Sequence, residues 1–559
     1  MPQIDSDRFK RLQGRLDALH LQRQDWEADW LDIKENMLPE FGWFPGQGGQ
    51  PNKGSTKRKR DIVKRTGKRG ATILASGMQG GLTSPARPWF RLGLSNEALQ
   101  EKHAVKQWLH AVETKMYQIF RKSNFYQAMH AMYFQLGGFG TSPVIIAEHP
   151  DRDINAIPVN VGEYYLANNQ HGEVDTFARR FMLTYRQMAQ KFGEENLSIK
   201  AQDALRRNPD DYVEVYHMIW ERDPEERNNE SPLPKKWRFG SIYWEPNNRD
   251  NKILAEGGFR EWPVPTGRWL QPDSSATYGM GPGHDALSDV LQVQSMAKDF
   301  LRGVKKEIDP PVRVPKQYKD RLKTFPGGIN YVGQQDNEAV GPLYEVSPNL
   351  DAVRVGIQET EQQILEAFFA DLFLMATQED RSNITAREIA ERHEEKLMIL
   401  GPVIERLHSE VLGPIIDRTY AIMARNGMLP PPPRDIQGEE IQPEYISSLA
   451  QAQKMAGLSS MDRFATAAGN IAQIKPEAMD KLNADGWLSE YADMVGVPPS
   501  SLNSDETVEQ MRQARAQQEA QQQMMEQAKQ AGEAAENITE ARAKVPRQEG
   551  PEDILGGLL

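Results

Sequence analysis

The sequence predicts an α+β fold that is mainly helical, and three observations carry the prediction. Apolar residues recur at three- and four-residue spacing over residues 5–38 and again over 104–136, as amphipathic helices require. Residues 155–280 change to short alternating runs bounded by Asn, Gly and Pro, the pattern of antiparallel strands. From Tyr278 to Gly427 the chain reads as helix, compact β-like module, helix, polar loop and long helix. That layout is not that of a catalytic domain, and the rest of the chain can be read around it.

Composition bounds the function. A chain of 559 residues is too long for one hydrophobic core, so two to four structural units are expected. Apolar residues make up 39% and mean hydropathy is −0.66, so much polar surface must be solvated or shared with partners. Cysteine is absent, which excludes disulfides and thiolate metal sites and fits a reducing cytoplasm. The opening MPQIDSDRFKRLQGRLDALHLQ has no apolar core of signal-peptide length, and no run approaches the ~18 apolar residues of a membrane span. The net charge of −12 argues against tight nucleic-acid binding, but not against a channel through which DNA slides.

In the first helix Phe9, Leu12, Leu16, Leu19, Trp26, Trp30, Ile33 and Met37 form the apolar stripe, and Pro39 ends it. GQGGQPNKGST (46–56) has the flavour of a phosphate-binding loop, but Lys53 precedes Gly54 and the required Gly-Lys-Ser/Thr order is missing; it is read as a plain loop. KRKRDIVKRTGKRG (57–70) is the most basic stretch. It is either a solvated helix face or a patch paired with acids on a neighbouring subunit, or else a nucleic-acid contact, the last weakened by the lack of interleaved aromatics. Residues 71–94 combine a helix, a Gly pair and a Pro-bracketed aromatic, and GGFGTSPVIIAEH turns into a strand. A helix is expected at about 184–193.

Over 284–307, Leu287, Val290, Leu291, Ala297, Phe300, Leu301 and Val304 are read as one stripe, and Pro310-Pro311 stops the helix. Residues 312–346 hold three β-like pieces, VRV, GGINYV and LYEV. Ser347 has N-cap form before helix 348–374, whose second half is apolar around more of its circumference than one antiparallel partner covers, implying packing against other subunits as well as its own chain. After the break MATQEDRSN (375–383), Thr385 to Glu388 has capping-box form and restarts a helix to about Arg425, bent at Gly401-Pro402 and Gly413-Pro414. LPPPPR (429–434) reads as a rigid linker and 439–495 as a small helical part. The Gln/Ala-rich tail 505–546 is a weakly cored helix, a coiled coil or partly disordered.

No catalytic constellation assembles: there is no Walker loop, His-Glu-x-x-His pair or Gly-x-Ser-x-Gly turn. His393 beside Glu394 and Glu395, with His408 further along, is read as exposed helical surface, metal ligation being the alternative. The chain is expected not to be an enzyme, and to need neither cofactor nor metal.

Six segments, in order, carry a resemblance: GGLTSPARPWFRL (80–92), SNFYQAMHAMYFQLGGFGTSP (123–143), VGEYYLANNQHGEVDTFARRF (161–181), YGMGPGHDAL (278–287), IDPPVRVP (308–315) and TAREIAERHEEKLMILGPV (385–403). Together they resemble the portal, or head-to-tail connecting, proteins of short-tailed double-stranded DNA bacteriophages. The likeness spans almost the whole chain and is weakest beyond about residue 430.

The resemblance implies a ring, usually a dodecamer, with a central channel at one capsid vertex of the virion, assembled in the bacterial host cytoplasm. It implies a wing (1–280), stem helices (281–307 and 348–374), a clip (308–347), a tunnel loop (375–384), a kinked wing helix (385–428), a crown (429–504) and a tail (505–559). Expected partners are double-stranded DNA, the terminase large subunit, tail or adaptor proteins, and major capsid and scaffold proteins, with no membrane. Lys298, Arg302, Lys305, Lys306 and Arg381 are the DNA-channel candidates, with ion pairing between subunits or plain solvation as the alternative for the stem residues. Lys316, Tyr318, Lys319, Arg321 and Phe325 are the docking candidates of the clip, with local packing as the alternative. Sparse cations in an acidic wall allow sliding, because dense phosphate neutralisation would create tight stops. The competing readings are a packaging ATPase or nuclease, a DNA-binding regulator using residues 57–70, and a non-catalytic DNA-binding or scaffold-interacting assembly protein.

Overall fold

The computed structural model describes residues 6–44, 62–100, 102–246, 253–314, 349–374, 400–436, 441–446, 461–470, 483–495 and 505–543, with shorter pieces between 316 and 343, at 497 and at 501–503. Helices and antiparallel sheets mix as the periodicity requires. Helix α1 (Ser6–Asn36) uses its stripe twice. Leu16 and Leu19 pack on one sheet, while Trp30, Ile33 and Met37 enter the main core. A polar residue the stripe omits, Arg23, is fully buried on the same side, donating to the Gly162 and Tyr164 carbonyls and pairing with Glu27.

Helix α2 (Thr66–Leu82) begins inside the basic run, earlier than the sequence suggests. Strand β1 (Phe90–Leu94) and the short α3 (Glu97–Gln100) lead to α4 (His103–Lys122) and α5 (Phe125–Phe139). The single amphipathic stretch expected over 104–136 is thus two helices. Ser123 is extended (ψ −177°), and the Asn124 side chain exchanges two hydrogen bonds with the Ala156 backbone, at 2.7 and 2.9 Å, in place of continuing the helix.

Strands β2 (Thr141–His149), β3 (Asp153–Pro158) and β9 (Thr266–Arg268) form one antiparallel sheet, in the order β3-β2-β9. Strands β4 (Tyr164–Asn168), β5 (Val174–Thr184), β6 (Tyr212–Glu221), β7 (Phe239–Trp244) and β8 (Ile253–Phe259) form a second, in sequence order. The antiparallel reading of 155–280 holds. One face of the larger sheet lies on α1, and the other is covered in part by α6 (Tyr185–Phe192) and by α7 (Ile199–Arg207), a helix the sequence reading did not contain. Thr184 and Gln187 close a full capping box on α6.

The two glycine motifs among the resembling segments press backbone to backbone. Gly140 (φ +75°) ends α5, and a Cβ at Gly281 would come within 2.9 Å of its Cα. Gly140 O accepts from Trp269 N and Thr141 Oγ1 accepts from Gly279 N, so the close approach ties α5 to the start of α8 (Pro282–Asp285) and α9 (Leu287–Ile308).

Candidate functional site

Helix α9 and helix α10 (Leu350–Ala367) form a hairpin whose far end carries the two-residue strands β10 (Val312–Arg313) and β11 (Gly341–Pro342), paired antiparallel. At 22 residues α9 is about 33 Å long. Its buried stripe is Val290, Val293, Gln294 and Ala297, which differs from the expected one: Leu291 and Leu301 are 46% and 47% exposed. The sequence stripe ran wide because every Leu was counted as core, whereas α10 covers only one narrow side.

Helix α10 is capped by Asn349, whose side chain accepts from Ala352 N, and not by Ser347, which lies outside the described residues. The expected continuous helix to 374 breaks at Phe369, which takes φ +54°, before α11 (Ala370–Leu374). The over-apolar second half is covered in part within the same chain, while Leu365, Phe369, Phe373 and Leu374 keep partial exposure. Phe368 and Phe373 lie over Gly70 and Gly77 of α2, where the missing side chains make room for the rings; a Cβ at Gly70 would sit 2.7 Å from the Phe368 ring.

The described end of the basic run is stitched into this hairpin. Gln294 Oε1 accepts from Val63 N (2.9 Å) and Lys64 N (3.0 Å), and its Nε2 donates to Lys64 O (2.6 Å). Across the hairpin Glu361 pairs with Lys64 Nζ (3.3 Å) and accepts from Thr66 Oγ1 (2.7 Å). Lys68 pairs with Glu40. Acid pairing therefore accounts for Lys64 and Lys68, and the acids belong to the same chain. Arg65 and Arg69 are exposed; residues 57–61 lie outside the described residues.

Lys298, Arg302, Lys305 and Lys306 are all exposed, and their spacing gathers them on one flank of α9. Arg302 pairs with Asp299 on its own helix at 3.1 Å. Arg381 lies outside the described residues, as do Tyr318, Lys319 and Arg321 and the His393-Glu394-Glu395 group. Lys316 and Phe325 are exposed, Phe325 by 61%. The sequence reading missed their apolar company, Ile329, Tyr331 and Leu343, which are also exposed. VRV is a strand at Val312–Arg313, paired with Gly341–Pro342 and extended by Leu343 N bonding Pro311 O; the rest of LYEV lies outside the described residues, and residues 328–331 of GGINYV form no strand.

The described part of the long helix starts at residue 400. Before Pro414, which lacks an N–H, the turn widens to π geometry over His408–Leu412, and Gly413 N bonds His408 O. The expected bend at Gly413-Pro414 is absorbed there, and Gly427 (φ +64°) closes the helix as expected. His408 is not the exposed residue the sequence suggested. It stacks on Tyr445 (3.9 Å, 11°), whose hydroxyl donates to His408 O, and burial pushes its pKa down to about 4.

Tyr445 belongs to β12 (Ile441–Tyr445), which pairs antiparallel with β1. A helical 439–495 is thus corrected: 441–445 is a strand, recruited because β1 offers a free edge. The other edge of β1 is satisfied by side chains, with Tyr117 Oη bonding Phe90 N, Glu113 bonding Leu92 N and Gln100 bonding Leu94 N. LPPPPR and the residue before it are held against α4, with Trp108 Nε1 donating to Pro430 O and Lys115 Nζ to Met428 O. Beyond it, residues 461–470 and Ala484–Val495 are helical, and Asp505–Ala543 is one long helix whose described side chains are almost all exposed.

Among the described residues, no group of three or more His, Asp or Glu side chains could hold a metal ion, and no helix is long and apolar enough to cross a membrane. The arrangement is one of surfaces and joints.

The chain is 38% identical over 516 residues to a probable portal protein of Bordetella phage BPP-1, covering 91% of each chain. It is 36% identical over 541 residues to the portal protein of Salmonella phage epsilon15, covering 96% of each. A chain from the neck of an empty gene transfer agent particle is 10% identical at a TM-score of 0.36, covering 75% of this chain and 92% of that one. Residues 9–502 match the family of bacteriophage head to tail connecting proteins, and the chain belongs to that family.

Proposed function

We propose that this protein is the portal subunit of a short-tailed phage: a structural component of the virion, not a catalyst, that forms a ring at one capsid vertex. Double-stranded DNA is packaged and ejected through the ring, which docks the terminase large subunit and later the tail or adaptor proteins. Major capsid and scaffold proteins surround it, and it assembles in the host cytoplasm. The observation that carries the reading is the end-to-end match to portal proteins, 96% of both chains in one case.

In this reading α9 and α10 are the stem, the β10–β11 module the clip, residues 1–280 with the 385–428 helix the wing, and 429–504 the crown, which starts on a strand bonded to the wing. Residues 375–384 are the tunnel loop and Arg381 its cation. The exposed flank of α9 lines the channel with Lys298, Arg302, Lys305 and Lys306, and the exposed Lys316 and Phe325 with Tyr318, Lys319 and Arg321 meet the motor and tail. Exposed Leu291, Leu301 and Val355 on the stem and Ile329, Tyr331 and Leu343 on the clip support burial between copies, because such apolar surface is costly to leave in water. The dodecamer is the expected ring.

The test is native mass together with negative-stain images of the purified protein. A ring with a central hole near twelve times 63.4 kDa is the expected result. A monomer at high concentration and with scaffold present would overturn the reading.

A further inference from the structure

We infer that neighbouring copies meet through opposite faces of the β4–β8 sheet, an acidic cleft of one copy receiving a basic cleft of the next. The inference rests on the ring proposed above and names the surface that would build it.

Side chains alternate along a strand, so neighbouring residues open onto different faces. Asp175, Glu221 and Phe239 share one face, with Glu221 opposite Phe239 in the ladder; Thr176 and Trp220, also a ladder pair, share the other. On the first face, between the sheet and the helix through residues 406–417, lies a cleft of about 1040 Å³ lined by seven carboxylates and four guanidiniums. One of those arginines, Arg268, is locked to Glu410 (Nε–Oε2 3.0 Å) and to the Gly172 carbonyl, and is only 3% exposed. Glu173, Asp273 and Asp417 stand exposed at its rim.

On the second face, between α1 and the turn before β7, lies a cleft of about 560 Å³. Its lining holds Arg11, Arg15, Arg222 and Lys235 against Glu226 and Glu256, with Trp220 as its apolar wall. Arg11, Arg15 and Lys235 are exposed. Both clefts sit at the same end of the sheet, one on each side.

A closed ring of identical subunits with more than two members is built from a heterologous contact, in which two different patches on different sides of the protomer meet. Two clefts of opposite charge at one level on opposite faces of one sheet have that geometry. Charge complementarity fixes which patch meets which and disfavours like-with-like pairing. A second copy of this chain is the partner the two surfaces fit.

The experiment uses the full chain. Arg11→Glu with Arg15→Glu reverses the basic rim, and Glu173→Lys with Asp417→Lys reverses the acidic one; ring yield is read by native mass and negative stain, folding by thermal melt. Each double variant alone is expected to lose at least tenfold in ring yield. Mixing the two, or combining all four changes in one chain, is expected to restore rings, because every contact then pairs opposite charges again. Double variants that assemble like the wild type, or folded variants that neither mixing nor combination rescues, overturn the inference while a ring-forming wild type leaves the portal reading standing. A second measurement needs no reversal: Arg11→Gln with Arg15→Gln is expected to lower at least twofold the salt concentration at which rings dissociate. An unchanged value overturns the inference.

Discussion

The side-chain amide of Gln294 bonds both backbone groups of Lys64, accepting from its N–H at 3.0 Å and donating to its C=O at 2.6 Å. One buried polar residue on α9 thus does for an irregular segment what a strand partner would, and it holds the end of the basic run against the hairpin.

Removing that amide leaves part-buried backbone groups of Val63 and Lys64 unpaired. Gln294→Leu is expected to destabilise the protein by about 1–2 kcal/mol, since an ordinary intramolecular hydrogen bond contributes about 0.5–1.5 kcal/mol and these groups are partly open to water. Tryptic cleavage within residues 57–60 should accelerate in the variant. Unchanged melting and unchanged cleavage would refute the anchoring role.

The α2 glycines separate two effects. Gly70→Ala drives a methyl into the Phe368 ring and is expected to cost about 1–3 kcal/mol by overpacking. Gly80→Ala, on the same helix with nothing within 4 Å, is expected to stabilise by about 0.5–1 kcal/mol through helix propensity alone. Denaturant midpoints of the pair measure the difference, and equal signs would contradict the close approach.

His408 makes stability depend on pH. Its folded pKa, about 4, lies below the ordinary 6.5 because burial disfavours the imidazolium. As pH falls below 6.5 the unfolded chain takes up the proton first, so this contribution is fully present above 6.5 and declines between 6.5 and 4. His408→Phe keeps an aromatic on Tyr445 and should flatten that part of the profile, read as the denaturant midpoint at pH 7 and pH 5. An unaltered slope would show that other groups set it.

The Arg418 guanidinium is 1% exposed, donates to Ile146 O at 2.7 Å and pairs with Glu261 at 3.2 Å; burial lowers its pKa to about 10. Arg418→Met strands the Ile146 carbonyl and removes one of the two cations on Glu261, which Arg425 still holds. The expected loss is about 2–4 kcal/mol, at the lower side of a broken buried pair because that second partner remains. A thermal melt checks it.

Charge reversal at Lys305 together with Arg381 is expected to reduce packaged DNA and its retention. On isolated rings, removing one phosphate-neutralising cation should lower the salt slope of DNA binding by about one. Packaging and retention at wild-type levels would remove both residues from the channel.

Much of the protein was legible because it is written in local periodicity. The α1 stripe, the antiparallel pattern of 155–280, the helix near 184–193 and the helix-module-helix layout each depend on neighbours a few residues away, and the structure keeps them. The family was legible for a different reason: six segments in fixed order carry it, and two of them, around Gly140 and Gly281, turn out to be one backbone contact.

What the sequence determined by itself, then, was the class of the strongly periodic segments, the acidic balance, the absence of cysteine and the family. Only the tertiary structure decided which apolar residues are core, as Leu291 and Leu301 show, because a helix buries only the width its partner covers. Only it turned 441–445 into a strand, since the β1 edge that recruits it, at Phe90–Leu94, lies far earlier in the chain. The same holds for Gln294 on Lys64, Phe368 on Gly70 and the paired clefts: each joins residues distant in sequence, and no local pattern encodes a contact whose two halves are brought together by the whole fold.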